Sequence, residues 1–599
     1  MNADNVAGSR AEAGDSGATE LKAEESAPSP LIESLSHALR RGAVAGELEN
    51  FCEADTEAAA RFIATCASRR PAGIALVRLE SVGTQLGRRR MRIGIINDDM
   101  PFLVDSIAGA IAARGLIIHR LLHPVVCVRR DEHGNLGAVE PLCDDLSRRE
   151  SIMYIEVDRA DARTRTELLA ELHRALADVR AAVTDWRAMQ QRMRDDADLI
   201  EGDEEGATLL RWFADGAMTL LAYHVERPTG QPTEALGLFK LPGEPTDEGG
   251  CMGAIRYFER GGATPLMAKA DRRSTVHRRV PLDLVVVPLR EKGKITGIGV
   301  HAGLWTSQAL SAPVEEVPLL RRRLEELDRE FGFDPNGHSG KALRHAVTSL
   351  PHDLLINLSS ESVKALVVTA MSLADRPRPT LTLVRSILKG HLFAFVWLPR
   401  DELTTRRRVA ISEMMERATD GKTTNWSVDL GDGDMALLRF TLAVSADRPD
   451  PDVAELDRQL DIMVRGWEPN VEEALGALVG PGRATRLALT YLDRFPEGYR
   501  IRTSSEDAAA DVVRVDGLEG AASRDVRLFA REGDPPERLH LKIYRCGAII
   551  PLSEAVPVLE NFGFRVLAEM TDEVAELVLE DNRLQSLALS IAESRGPAG

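Results

Sequence analysis

"MRIGIINDDMPFLVDSIAGAIAARGLIIHR", residues 91–120, decides how this chain is read. Met91, Ile93 and Ile95 alternate with Arg92 and Gly94, the two-residue period of a strand with one buried face. Pro101 suits the first turn of a helix, where its missing N–H costs nothing. Leu103, Ile107, Ala110 and Ile111 then share one helical face, and Gly115 is placed to stop that helix. Residues 116–130 return as strand, with Pro124 at a break or an edge. After a turn at 131–135, residues 151–158 read as a further strand and 162–193 as a long amphipathic helix. Strand, helix, strand, strand, helix is close to the ferredoxin-like split βαβ unit.

The acids Asp98 and Asp99 stand at the mouth of the short helix. Carboxylates there satisfy orphan N–H groups and suit the positive helix end. The other reading is effector binding. Free N–H groups of a strand-to-helix loop take the carboxylate of a small ligand, and nearby acids take its amine. Asn97, Asp98, Asp99, Met100 and Pro101 are the candidate set for that role.

Around this stretch the chain is long and acidic. It has 599 residues, 75 basic against 93 acidic, and a net charge of −18. At ~100–200 residues per domain several domains are expected. The charge argues against nucleic acid and against an anionic membrane surface as partners. No apolar run reaches the ~18–20 residues of a membrane span. The acidic, Ala/Ser-rich residues 1–30 lack an apolar signal core and read as a disordered tail. Cys52, Cys66, Cys127, Cys143, Cys251 and Cys546 are scattered without a CxxC pair. Reduced thiols in a cytoplasmic protein are expected, with neither a zinc site nor a disulfide framework.

Residues 31–195 hold N-terminal helices and the first mixed unit. Residues 200–312 carry short strands with turn signals, an α+β segment with an antiparallel sheet. Residues 313–376 read as a helical connector. The strand–loop–helix texture then recurs in 377–480 and 481–569. The clearest echo has a strand at Leu539–Tyr544, a Ser553 cap, a helix stopped at Gly563, and a strand at Phe564–Leu567. Three degenerate copies of one unit set the architecture, α+β and multidomain.

Catalytic chemistry is hard to find. "GIGVHAG" (Gly297, Gly299, Gly303) has the wrong spacing for a dinucleotide fingerprint and reads as glycine-rich strand and turn. "LVGPGRATR" (Gly480, Gly482) lacks the lysine-serine ending of a phosphate loop and reads as a turn. His119 and His123 lack a completing carboxylate or cysteine pattern, so structural histidines are expected. "DRRSTVHRR" (271–279) sets Arg272, Arg273, Ser274, Thr275 and His277 together as a candidate anion clamp, against a solvated loop. No GxSxG, HExxH or Walker motif occurs.

Long colinear stretches carry a family resemblance. They include "INDDMPFLVDSIAGAIAARGLIIHRLLHPV", "MAKADRRSTVHRRVPLDLVVV", "HSGKALRHAVTSLPHDLLINLS" and "RLHLKIYRCGAIIPLSEAVPVLENFGFRVL". The chain resembles the N-terminal region of the large, multidomain NAD-dependent glutamate dehydrogenases of bacteria. The resemblance implies three ACT-like domains, a PAS-like domain at 200–312 and helical connectors, with a regulatory role. It implies NAD as cofactor of the whole enzyme, self-association, and an amino acid as possible effector. The family's catalytic domain has no counterpart here, and no catalytic or NAD-binding residue is carried over. Ordinary amino-acid-binding ACT loops resemble D-x-P-G; "DDMPF" keeps Asp99 and Pro101 but puts Phe102 where glycine admits a ligand. Residues 570–599 are similar to a helical family segment from beyond the main catalytic stretch, which implies a regulatory half joined to a downstream piece. The expectation is the regulatory and assembly portion of a glutamate dehydrogenase; the alternative is a stand-alone sensor or scaffold without catalysis.

Overall fold

The computed structural model describes residues 29–593 except 45, 84–88, 141, 146, 229–232, 242–249, 388–389, 432, 521–522, 531–537, 547–551 and 578–581. The expected disordered tail lies outside the described residues. The chain divides into an N-terminal unit, Met1–Met371 with Ser386–Lys389, and a C-terminal unit, Ser372–Arg385 with Gly390–Gly599.

In the N-terminal unit the quoted stretch builds a two-sided sheet. Its strands are β1 (Leu76–Gly83), β2 (Arg89–Asp98), β3 (Ile118–Leu122), β4 (Val125–Arg130), β5 (Leu136–Glu140) and β6 (Arg148–Asp158). Their order is β1-β2-β6-β4-β5, and β3 also lies along β6. The strand expected over 116–130 is thus broken at Pro124 into two pieces that pair with the same neighbour. Met91, Ile93 and Ile95 bury against the helices Leu103–Ala112 and Ala162–Asp198. Ile96 and Tyr154 bury on the other face against Ser29–Arg41 and Glu53–Ala67. Gly94 permits that second packing: a Cβ there would stand 2.9 Å from the Phe62 ring and 2.8 Å from Cys66 Sγ.

The next sheet has strands β7 (Met218–Glu226), β8 (Thr233–Gly237), β9 (Leu266–Arg273), β10 (Pro281–Glu291) and β11 (Lys294–Trp305), in the antiparallel order β8-β7-β11-β10-β9. It occupies the stretch expected to be PAS-like. The helix Ala162–Asp198 serves both sheets. Leu168, Leu172 and Val179 pack on the first, and Leu221, Ala302 and Leu304 join the same continuous core. The helices Leu320–Phe331, His338–Ser349 and Ser360–Asp375 follow the second sheet.

The C-terminal unit carries two more sheets. One has β12 (Thr380–Arg385), β13 (His391–Pro399), β14 (Lys422–Asp429) and β15 (Met435–Ala443), ordered β12-β13-β15-β14. The other has β16 (Arg524–Phe529), β17 (Arg538–Cys546), β18 (Phe564–Leu577) and β19 (Asn582–Glu593), ordered β16-β17-β19-β18. Numbering strands within each unit, both read 1-2-4-3 with a helix between strands 2 and 3. The first sheet has the same core order. This is the ferredoxin-like sheet with one edge strand supplied from the front of the unit rather than from its end.

Three expectations are corrected. The third unit, expected at 481–569, has its sheet at 524–593; residues 467–516 are mostly helix, including Trp467–Val479, Pro481–Tyr491 and Ser505–Asp516. Residues 570–599 hold no described helix: β18 runs through Met570 and β19 inserts between β17 and β18. The Glu-, Leu- and Ala-rich sequence favours helix locally, and strand pairing overrides it. Last, Cys127 and Cys143 form a disulfide, their Cα atoms 5.2 Å apart at the β4–β5 hairpin, so not all the thiols are free. Cys66 is buried and its thiol is pushed up to about 12 by that burial. No helix among the described residues is long and apolar enough to cross a membrane.

Candidate functional site

The loop after β2 does not cap its helix with an acid. The residue before the helix is Phe102, with φ 68° and no side-chain cap. Phe102 therefore holds the left-handed conformation that glycine prefers at this point, and its ring lies 5.4 Å from the His277 ring. Pro101 precedes the helix in a turn instead of starting it.

The acids are bound by arginines from distant elements. Asp98 Oδ1 is 2.8 Å from Arg70 Nη2, and Asp98 Oδ2 is 2.6 Å from Arg180 Nη1. The second Arg180 nitrogen donates to Asn97 Oδ1 at 2.6 Å, so one planar guanidinium grips both residues. Behind them, buried Glu150 accepts from Arg70 at 2.8 Å and from two Arg130 nitrogens at 2.8 Å. Asp99 pairs with Arg149 at 3.0 Å. Burial pulls the Asp98 carboxyl up, and the bonds from Arg70 and Arg180 outweigh it, leaving it below its ordinary 3.8. An incoming ammonium would compete with two arginines for Asp98. The buried Asn97 Nδ2 has no partner among the described residues. The loop is thus closed by an internal ion lock. Sequence reading missed Arg70 and Arg180, because side chains 83 positions apart in the Arg180–Asn97 bond leave no local signal.

Three of the anion-clamp residues, Ser274, Thr275 and His277, also find internal partners. Ser274 Oγ donates to its neighbour Val276 O at 2.7 Å. Thr275 Oγ1 donates to Asp178 on the long helix. His277 Nδ1 is 2.8 Å from Asp105 Oδ2, and its N–H donates to Ser106 Oγ at 3.0 Å. Val276, fully buried, joins the core beneath the first sheet. Arg279 reaches Glu171 on the long helix at 2.7 Å. Of the candidate set Arg272, Arg273, Ser274, Thr275 and His277, the last three are therefore each engaged with a different partner within the chain. The β9–β10 connection is a strap that ties the second sheet to the first.

The histidines expected to be structural are satisfied separately. His119 Nε2 lies 2.7 Å from Asp158 and His123 Nε2 lies 2.7 Å from Ser151 Oγ. Among the described residues no cluster has the make-up of a metal site.

Gly297, Gly299 and Gly303 do not form a dinucleotide loop. Gly297, Gly299 and Gly303 all lie inside β11, not in a loop before a helix. A Cβ on Gly303 would stand 2.5 Å from Thr219 O, and one on Gly299 3.3 Å from both Asp196 Oδ2 and Tyr223 OH. These glycines serve close packing of strand and helix. Gly480, with φ 83°, makes the turn between two helices.

Comparison with known proteins gives a consistent result. Family models match residues 36–176 ("Glutamate dehydrogenase, ACT1 domain"), 317–376 (helical motif 1), 382–468 (ACT2 domain), 474–518 (helical motif 2) and 523–597 (ACT3 domain). Together they take up about two thirds of the chain. The chain is 27% identical over 544 residues to an NAD-specific glutamate dehydrogenase of Halomonas elongata, covering 84% of this chain and 33% of that one. For the Pseudomonas aeruginosa protein of the same description the figures are 27% over 504 residues, 80% and 31%. For that of Mycobacterium tuberculosis they are 26% over 503 residues, 78% and 30%. The chain spans about a third of the length of these curated relatives. The ACT3 match takes in residues 570–597, where a downstream segment had been expected.

Proposed function

Because the chain belongs to the NAD-specific glutamate dehydrogenase family, we propose that its residues form the regulatory and assembly portion of such an enzyme. Oxidation of L-glutamate by NAD to 2-oxoglutarate and ammonia then takes place on polypeptide outside these residues. The observation that carries the reading is the order of matched domains, ACT1, helical motif 1, ACT2, helical motif 2 and ACT3, which fills most of the chain. The internal pairing of the buried ionisable groups supports it. Arginines hold the loop acids, and Ser274, Thr275, His277 and Arg279 of the strap bond within the chain. The second sheet keeps its PAS-like reading as part of this proposal.

Asn97, Asp98, Asp99, Met100 and Pro101 serve in this scheme as an effector contact only after Arg180 lets go. The strap 271–279 keeps the first two sheets in fixed relation, so a change at the loop reaches the second sheet through the long helix.

Assembly is expected through sheet edges, whose unpaired N–H and C=O groups accept a further strand. The outer strand β16 exposes Val526 (56%) and Leu528 (53%) on one face. Light scattering across a concentration series tests this. Self-associated species are expected, and Val526→Lys with Leu528→Lys is expected to shift them toward monomer. A wild-type chain that stays monomeric at every concentration contradicts the assembly role.

A further inference from the structure

The disulfide of the first sheet sits where a reagent can reach it. Cys127 is half-buried on β4, and Cys143 is exposed on the connection from β5 to β6. The bond therefore fastens that connection across the β4–β5 hairpin. A second tie, Arg129 Nη2 to Asp144 Oδ2 at 2.8 Å, is open to water at both ends and adds little. Leu142, beside Cys143, is 82% exposed, so its side chain anchors nothing by burial. Disulfides are rare in reducing compartments and are there mostly catalytic or redox-sensing. Exposed ones are the ones that exchange readily.

The ion lock begins directly across from this bond. On β6 the residue opposite Cys127 is Arg149, which holds Asp99 at 3.0 Å. The Asp99 N–H also donates to Arg149 O at 3.3 Å. The next residue, Glu150, stands opposite Val126 and holds Arg70 and Arg130. Arg70 in turn holds Asp98. Directly opposed residues on paired strands are close neighbours on one face. Whatever fixes β4 and the incoming connection against the start of β6 thus also fixes the groups on which both loop acids rest.

We propose that Cys127–Cys143 is a reversible thiol–disulfide exchange site whose state sets how firmly the ion lock is held. The co-reactant is a dithiol reductant. One of its thiolates attacks the exposed Sγ of Cys143, the bond to Cys127 breaks, and Cys127 leaves as the thiolate. The reductant's second thiol then displaces Cys143 from the mixed disulfide. The reductant closes to its own disulfide, two electrons pass to the protein, and the two thiol protons end on Cys127 and Cys143. A disulfide oxidant runs the same steps backward. With the bond open, the connection into β6 is released, and Arg149 and Glu150 at its start are held less firmly. The exchange chemistry stands by itself, and its consequence at the loop rests on the regulatory reading above.

Differential alkylation with peptide mapping of the full, folded chain tests it, with dithiothreitol as reductant and oxidised glutathione as oxidant. Cys127 and Cys143 are expected to be blocked together in the oxidised chain and alkylated together in dithiothreitol without denaturant. They are expected to return to the bonded state in oxidised glutathione, while buried Cys66 stays unlabelled throughout. Hydrogen exchange at residues 97–100 and 148–151 is expected to run about tenfold faster in the reduced chain. Cys127→Ser with Cys143→Ser should show the fast pattern under both conditions, and Cys52→Ser should leave the response intact. Circular dichroism checks that both variants are folded. A bond that never forms, or that opens only in denaturant, overturns the exchange site. Exchangeable thiols with unchanged hydrogen exchange at 97–100 overturn the hold on the loop. Neither outcome touches the regulatory reading, which fails instead on NADH formation by this chain.

Discussion

Lys269→Met is expected to destabilise the N-terminal unit by roughly 3–5 kcal/mol, the cost of removing one partner from a buried ion pair. Lys269 lies on β9 between two carboxylates, with Nζ 2.6 Å from Asp283 Oδ1 and 2.6 Å from Asp353 Oδ2. Asp283 is on β10, and Asp353 belongs to the short helix His352–Leu355 of the connector. The lysine thus fastens the connector to the second sheet. Burial opposes its charge and the two acids outweigh that, holding its pKa well above the ordinary lysine value. Burial pushes Asp283 up to about 6, with Lys269 pulling the other way.

Methionine fills the same space but leaves two acids facing each other without a cation. The pH dependence of the loss distinguishes this cause from a packing defect. A carboxyl whose folded pKa stands above its unfolded 3.8 takes up its proton first in the folded state. In the variant that rise is larger, so its stability improves as pH falls from neutral toward 3.8. The deficit against the parent protein is expected to shrink over that interval. Adding Asp283→Asn should restore part of the loss at neutral pH. Thermal melts and hydrogen exchange on β9 and β10 report both effects, and a deficit independent of pH would point to packing alone.

Asp511→Ala is expected to cost about as much, ~3–5 kcal/mol, in the C-terminal unit. Asp511 is buried on the helix Ser505–Asp516. It accepts from Tyr499 OH at 2.5 Å, from Tyr544 OH at 2.5 Å, from Arg527 Nη1 at 3.5 Å and from Lys542 Nζ. Removing it strands a buried ammonium on β17 and two phenols. Burial and the Asp511 charge push both phenols far above the ordinary tyrosine value, so neither ionises to relieve the defect. Asp511→Ala with Lys542→Met should be more stable than Asp511→Ala alone, because the unpaired charge is gone. Hydrogen exchange should show the helix Ser505–Asp516 loosening from the β16–β17 hairpin. An unchanged exchange pattern would refute the fastening role.

Much of the first unit was legible because its signals are local. Met91, Ile93 and Ile95 face the core as their alternation requires, and Gly115 at φ 70° follows the short helix it was expected to end. Pro124 broke the strand where its missing N–H forces a break. Gly563, with φ 87°, precedes β18 in the clearest copy of the unit. What failed to show was long-range. Arg180, Thr275 and Lys269 act on acids 82, 97 and 84 positions away, and no period or motif encodes such a meeting. The partners of the candidate residues were hidden for this reason: Asp98, Asp99, Thr275 and His277 look free in sequence and are paired in the fold. The last two strands were misread because Leu, Ala and Glu favour helix locally, whereas β19 is held between two neighbours.

The central claim is that these residues regulate and assemble while the amino acid is oxidised elsewhere. Its most direct measurement is absorbance in the reduced-cofactor band after mixing the purified chain with NAD and L-glutamate. The account predicts a flat trace over hours, with the chain folded by circular dichroism throughout. Steady NADH formation that scales with the concentration of this chain would contradict it.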